Sequence, residues 1–133
     1  MILADTHLVI AMIRRTDPDR AAQALVLAER HAAAGEPLVV AECVLAECAW
    51  VLRSRYGMAG CDVARVLREA LSTPALVAWD PKVAETALDV MEADPALDVT
   101  DCILAAMSAR RGTDVATMDR RLLRLLEGGD VTT

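Results

Sequence analysis

Apolar residues fall along this chain in short blocks and in longer stretches of helical spacing, separated by acids, glycines and prolines. Ile2-Leu3-Ala4 ends at Asp5 and predicts a strand, and Leu8 to Ile13 has helical length before Arg14-Arg15. Asp17-Pro18 sets a cap residue before a first-turn proline and opens an Ala- and Leu-rich helix to about Ala34, where Gly35 stops it. Pro37 to Val40 predicts a second strand, Cys43 to Arg55 a helix stopping before Gly57, and Asp62 to Leu71 a helix capped by Cys61 or Gly60. Ala75 to Trp79 is the next strand, and Asp80-Pro81 starts a helix to about Met91. Asp98 or Thr100 caps a helix through Ile103, Leu104 and Met107 to Arg110-Arg111, with Gly112 as its stop. Asp114 to Thr117 then predicts a strand and Asp119 to Leu126 a short helix, with room for an edge strand at Val131-Thr132.

Strands separated by helices throughout imply an α/β fold, with a mainly parallel central sheet of four to five strands and helices on both faces. In such sheets ligands gather outside the carboxyl ends of the strands, which gives weight to Asp5 and Asp119, both at the end of a predicted strand. The 133 residues suit one domain spanning 1–133, with no repeat or linker. Phe is absent and only two Trp and one Tyr occur, so the core must be built from Ala, Leu, Val and Met.

A formal charge of -6 gives no global field to attract a nucleic-acid backbone. Acids gathered in one cleft reverse that locally, because they bind divalent cations that in turn bind phosphate oxygens. Cys43, Cys48, Cys61 and Cys102 lack paired spacing and lie away from His7 and His31, so zinc is not expected and the cysteines read as buried free thiols. With no leader-like start and no apolar run long enough for a bilayer, the expected location is cytoplasmic, without a membrane partner.

Two further acids sit oddly. Glu47 shares a helix face with Cys43, Val44, Trp50 and Val51, and Asp101 has Leu97, Leu104 and Ala105 on its side. A charge among apolar neighbours costs several kcal/mol unless paired or metal-bound. Each acid also has a plain structural alternative: Asp5 and Asp119 as helix caps, Asp101 as a first-turn acid, Glu47 paired with Arg53 or Arg55. Converging on one cleft, the four would repel one another without a cation. An all-carboxylate set suits Mg²⁺ or Mn²⁺, and the matching chemistry is in-line attack on a phosphodiester by activated water, with one ion or two.

Ile2-Leu3-Ala4-Asp5-Thr6, Val44-Leu45-Ala46-Glu47 running into Trp50-Val51-Leu52, and Arg55-Tyr56-Gly57 resemble the first half of VapC-type PIN domains. Asp98-Val99-Thr100-Asp101-Cys102-Ile103-Leu104-Ala105-Ala106 and Thr117-Met118-Asp119-Arg120 resemble the second half, in order and over nearly the whole chain. The resemblance implies a PIN-like fold and an Mg²⁺- or Mn²⁺-dependent ribonuclease, the toxin of a toxin-antitoxin pair. It further implies Asp5, Glu47, Asp101 and Asp119 as catalytic metal ligands, RNA as substrate, a VapB-like antitoxin as partner, and a homodimer. Asp98 is a weaker acid of the same motif. His7 stands where the family usually has Asn or Ser, and Thr6, His7 and Thr117 would support the acids or touch substrate. The arginine pairs Arg14-Arg15, Arg110-Arg111 and Arg120-Arg121 either rim the cleft or are ordinary helix-end charges.

Two other readings compete. A receiver-like phosphohydrolase needs a lysine at a late strand end, and the only lysine, Lys82, follows Asp80-Pro81 in the first turn of a helix. A PIN-like binding module would hold a metal and a protein or RNA partner without turnover.

Overall fold

The computed structural model describes residues 1–128. Strands β1 (Ile2–Leu3), β2 (Leu38–Val40) and β3 (Leu76–Ala78) form a parallel sheet in the order β1-β2-β3. Ile2 lies in register with Leu38, and Leu38, Val39 and Val40 with Leu76, Val77 and Ala78. All three β2 residues are buried, so both faces of the sheet are covered, as an unbroken Leu-Val-Val run requires.

The helices are α1 (Thr6–Arg14), α2 (Pro18–Ala33), α3 (Glu42–Ser54), α4 (Gly60–Ala70), α5 (Pro81–Ala93), α6 (Val99–Arg111) and α7 (Arg120–Glu127). Five of them begin at an aspartate whose side chain accepts a backbone N–H of the first turn: Asp5, Asp17, Asp80, Asp98 and Asp119. Each such cap satisfies a donor that the helix itself cannot, and contributes about 1 kcal/mol at an ordinary site. Arg15 ends α1 in the left-handed region at φ 52°, a position usually left to glycine, and so turns the chain sharply into α2.

Among the described residues the sheet has three strands, fewer than the four to five expected. Asp114 to Thr117 is irregular and no ladder bond joins it to β1. Local bonds hold this segment instead. The Ser108 hydroxyl donates to the Thr113 carbonyl, and the Asp119 N–H donates to the Thr117 hydroxyl at 3.0 Å. With Val115 its only sizeable apolar side chain, and that half-buried, the segment has little to bury against a sheet edge. The edge strand read at Val131-Thr132 lies outside the described residues.

A second correction concerns α4. Neither Cys61 nor Gly60 caps it: the helix starts at Gly60, behind Ala59, without a side-chain cap. Gly60 is needed for a different reason, since a Cβ there would lie 2.6 Å from the Pro95 carbonyl oxygen and 3.0 Å from its Cβ. Gly60→Ala is therefore expected to destabilise the protein by about 1–3 kcal/mol through overpacking. Thermal unfolding would read it, and an unchanged midpoint would refute the close approach.

The core lies between the sheet and α3 to α6, around the fully buried Leu38, Leu52, Leu67, Leu76, Met91 and Leu97. Aliphatic side chains supply it, as composition required. Only two of the four cysteines join it: Cys48 and Cys102 are buried, while Cys43 and Cys61 are exposed on the outer sides of α3 and α4. Among the described residues no helix is long and apolar enough to cross a membrane.

Candidate active site

Because the strands are parallel, their carboxyl ends share one edge of the sheet. Asp5 stands just beyond β1. The helix α3, entered from β2, carries Glu47 in its second turn, and α6 packs against α3 and brings Asp98 and Asp101 at its amino end.

Asp5 is exposed, and its Oδ1 accepts the Leu8 N–H at 2.9 Å, so its capping role is real. That bond leaves Oδ2 without a partner among the described residues. The next residue, Thr6, is buried, and its side chain hydrogen-bonds the Cys48 thiol. Burial first, then the Glu47 charge, and lastly the Asp5 charge push this thiol up to about 12 against the pull of Thr6. Asp5 and Glu47 thus both act on one buried sulfur atom, from α1 and α3.

Glu47 corrects the reasoning that singled it out. It is exposed, and so are its neighbours Cys43 and Trp50, while the buried stripe of α3 is Leu45, Cys48, Ala49 and Leu52. No ion pair joins it to Arg53 or Arg55; the Arg53 guanidinium donates to the Leu97 carbonyl at 3.0 Å. Apolar spacing alone mistook the rim of an open cleft for a buried face.

Asp101 does meet the desolvation argument. Burial raises its pKa above the ordinary carboxyl value, and the charges of Asp119 and then Asp98 raise it further. Asp98 and Asp119 are themselves exposed caps, of Thr100 at 2.9 Å and of Arg121 and Leu122 at 2.8 and 3.2 Å. Thr117 fixes the turn into α7 through its bond from the Asp119 N–H. The buried Cys102 thiol is likewise pushed to about 12, by burial and then by Asp101, Asp98 and Asp94, with Arg53 opposing.

The acids therefore act in two sets, Asp5 and Glu47 on the Cys48 thiol, and Asp98 and Asp119 on Asp101. Among the described residues no three His, Cys, Asp or Glu side chains already stand together as a metal cage. The donor chemistry nonetheless fits a hard divalent cation: carboxylates predominate, both buried thiols hold their protons, and the Asp101 group carries mutual repulsion that a cation relieves.

Sequence reasoning missed the arginine and aromatic side chains that wall the cleft. A cavity of about 420 Å³ lies beside Glu47, lined among others by Thr6, His7, Arg20, Trp50, Arg55 and Tyr56. His7 and Arg20 also border a neighbouring hollow that contains Asp5, and Trp50 borders one that reaches Asp98. Of the arginine pairs, Arg14 lies over the Tyr56 ring at the cavity, while Arg110 pairs with Asp80 at 3.4 Å and Arg121 donates to the Ala96 carbonyl at 3.1 Å. No local pattern marked Arg20, which reaches the site only because the Arg15 turn folds α2 back along α1.

Fold and site together define an α/β protein with Asp5 at the carboxyl edge of a parallel sheet and further acids on α3, at the start of α6 and before α7, on a nuclease-like fold. The family model described as the PIN domain matches residues 2–127, and the chain belongs to the PIN domain family. PIN domains are generally metal-dependent nucleases. No curated protein matches the chain.

Proposed function

We propose that this chain is a metal-dependent endoribonuclease, one PIN domain acting as the toxin of a VapBC-type pair. The observation that carries the reading is Asp101, a part-buried acid at a helix amino end whose proton affinity is raised by burial and by two further acids. In this reading Asp5, Glu47, Asp101 and Asp119 hold Mg²⁺ or Mn²⁺. Such an ion supplies charge neutralisation at the phosphodiester and acidifies the attacking water.

The chain's own residues do the placing. The Leu8 N–H holds one oxygen of Asp5 and leaves the other open to a ligand, and Thr6 ties the start of α1 to Cys48 of α3, the helix that carries Glu47. Asp98 caps the turn from which Asp101 projects, and Thr117 orients Asp119. His7 faces the same cavity as Glu47 and is placed to touch substrate. A VapB-like antitoxin, a homodimer and a cytoplasmic setting complete the proposal.

The second reading, a binding module without turnover, has one observation in its favour: the two acid groups are not drawn into a single cage. Purified protein incubated with total RNA separates the two. Cleavage with Mg²⁺ or Mn²⁺ that stops with chelator, together with growth arrest on induction, is expected of the nuclease. RNA left intact under every metal condition, with no effect on growth, would leave the binding module.

A further inference from the structure

The chain has only three aromatic side chains, Trp50, Tyr56 and Trp79, and none is in the core. Trp79, 53% exposed just beyond β3, borders none of the cavities around the acids described above. Trp50 is 59% exposed, and it shares the cavity beside Glu47 with Tyr56. A fold so poor in aromatics has left two of them at the rim of its acidic cleft rather than burying them, where each would have contributed more to stability.

The cavity sets two arginines, Arg20 and Arg55, beside its two acids, Asp17 and Glu47, in a chain of net charge -6. Arg20 and Arg55 both line it, and neither guanidinium makes an ion pair or hydrogen bond among the described residues. The Arg14 guanidinium lies 4.5 Å from the Tyr56 ring centroid, covering one face and steadying the ring beside the cavity. Asp17, an acid of the same wall, accepts the Arg20 backbone N–H at 3.2 Å. His7 and Arg20 line both this cavity and the hollow of Asp5, and Glu47 lines the cavity itself, so a group bound on the aromatics shares its space with one of the acids. Its volume, about 420 Å³, falls in the ordinary range of small-ligand pockets.

Resting on the nuclease reading, we propose that this cavity receives an unpaired RNA base beside the cleaved linkage, stacked on Trp50 and Tyr56, with Arg20 and Arg55 on the flanking phosphates. Two aromatic walls with two free guanidiniums match the requirements of single-stranded nucleic acid, where stacking binds any base and cations track the backbone.

The test is the affinity of the full chain for a short single-stranded oligoribonucleotide and for its abasic counterpart, with chelator present so that nothing is cleaved. Trp50→Ala is expected to weaken binding of the normal oligomer about tenfold, within the range for loss of one stacking partner. It should leave the abasic oligomer unaffected. Trp50→Phe should restore most of the loss, Trp79→Ala should change nothing, and Arg20→Ala should weaken both ligands. A Trp50→Ala variant that binds both oligomers as wild type does, while wild type cleaves RNA with metal, overturns the stacking site and leaves the cavity to a protein partner; the nuclease reading survives. Equal losses for both oligomers also overturn it, since only stacking depends on the base. Wild type that neither binds nor cleaves RNA removes both readings together.

Discussion

Asp101→Asn is expected to lower metal-dependent RNA cleavage by roughly 10²–10³-fold, the usual cost of removing one group that stabilises charge at a reacting centre. The shape of the side chain is kept and the charge is lost. A stability change of opposite sign should accompany it. Burial and the neighbouring Asp119 and Asp98 raise the folded pKa of Asp101, so folding disfavours its ionised form. In metal-free protein the stability of the protonated form is fully present below the unfolded carboxyl range and is lost as pH rises through the folded pKa. Asn does not ionise. Metal-free Asp101→Asn should therefore melt above wild type at neutral pH, by a small margin because water still screens the part-buried carboxyl.

Mg²⁺ should then reverse the order, since it stabilises only the protein that binds it. Thermal unfolding of both proteins at acidic and neutral pH, with and without Mg²⁺, reads all of this beside the cleavage assay. Undiminished cleavage by Asp101→Asn would remove Asp101 from the site. A melting-point advantage of metal-free Asp101→Asn over wild type that failed to grow as pH rises would contradict the raised pKa.

Leu52→Ala should produce the largest loss of stability. Leu52 is 0% exposed on the inner stripe of α3, the helix whose outer rim carries Glu47 and Trp50. Truncation of a buried leucine removes its transfer energy and leaves a cavity, at a cost of about 3 kcal/mol. For a chain of this size that corresponds to a melting point lower by roughly 10 °C. Leu45, Cys48 and Ala49 share the stripe, and all pack against the central cluster, so little room exists for the site to collapse. A drop below about 1 kcal/mol would mean that α3 does not wall the core.

The helices were readable because their signals are local. Asp17-Pro18 and Asp80-Pro81 combine a capping acid with a proline whose missing N–H costs nothing at that position, and both start helices as expected. The parallel strands were readable from apolar blocks too short for helices, above all Leu38-Val39-Val40. Asp114 to Thr117 looked equally strand-like. Whether such a segment pairs depends on an edge elsewhere in the chain and on rival bonds from Ser108 and Thr117, which a local pattern does not weigh.

The site divides in the same way. Asp101 was found by its apolar neighbours for a reason that holds, whereas Glu47 was found by the same argument although it and two of its four neighbours, Cys43 and Trp50, are exposed. Residue types and their spacing determine helix starts, strand blocks and the choice of carboxylates, because caps, periodicity and ligand hardness act over a few residues or belong to the side chain itself. Packing alone decided that Asp98 and Asp119 raise the pKa of Asp101, that Gly60 must clear Pro95, and that Arg20, Trp50 and Tyr56 share one cavity. Electrostatic reach, steric clearance and shared solvent space are distances between residues far apart in the chain, and such distances exist only once the helices have docked.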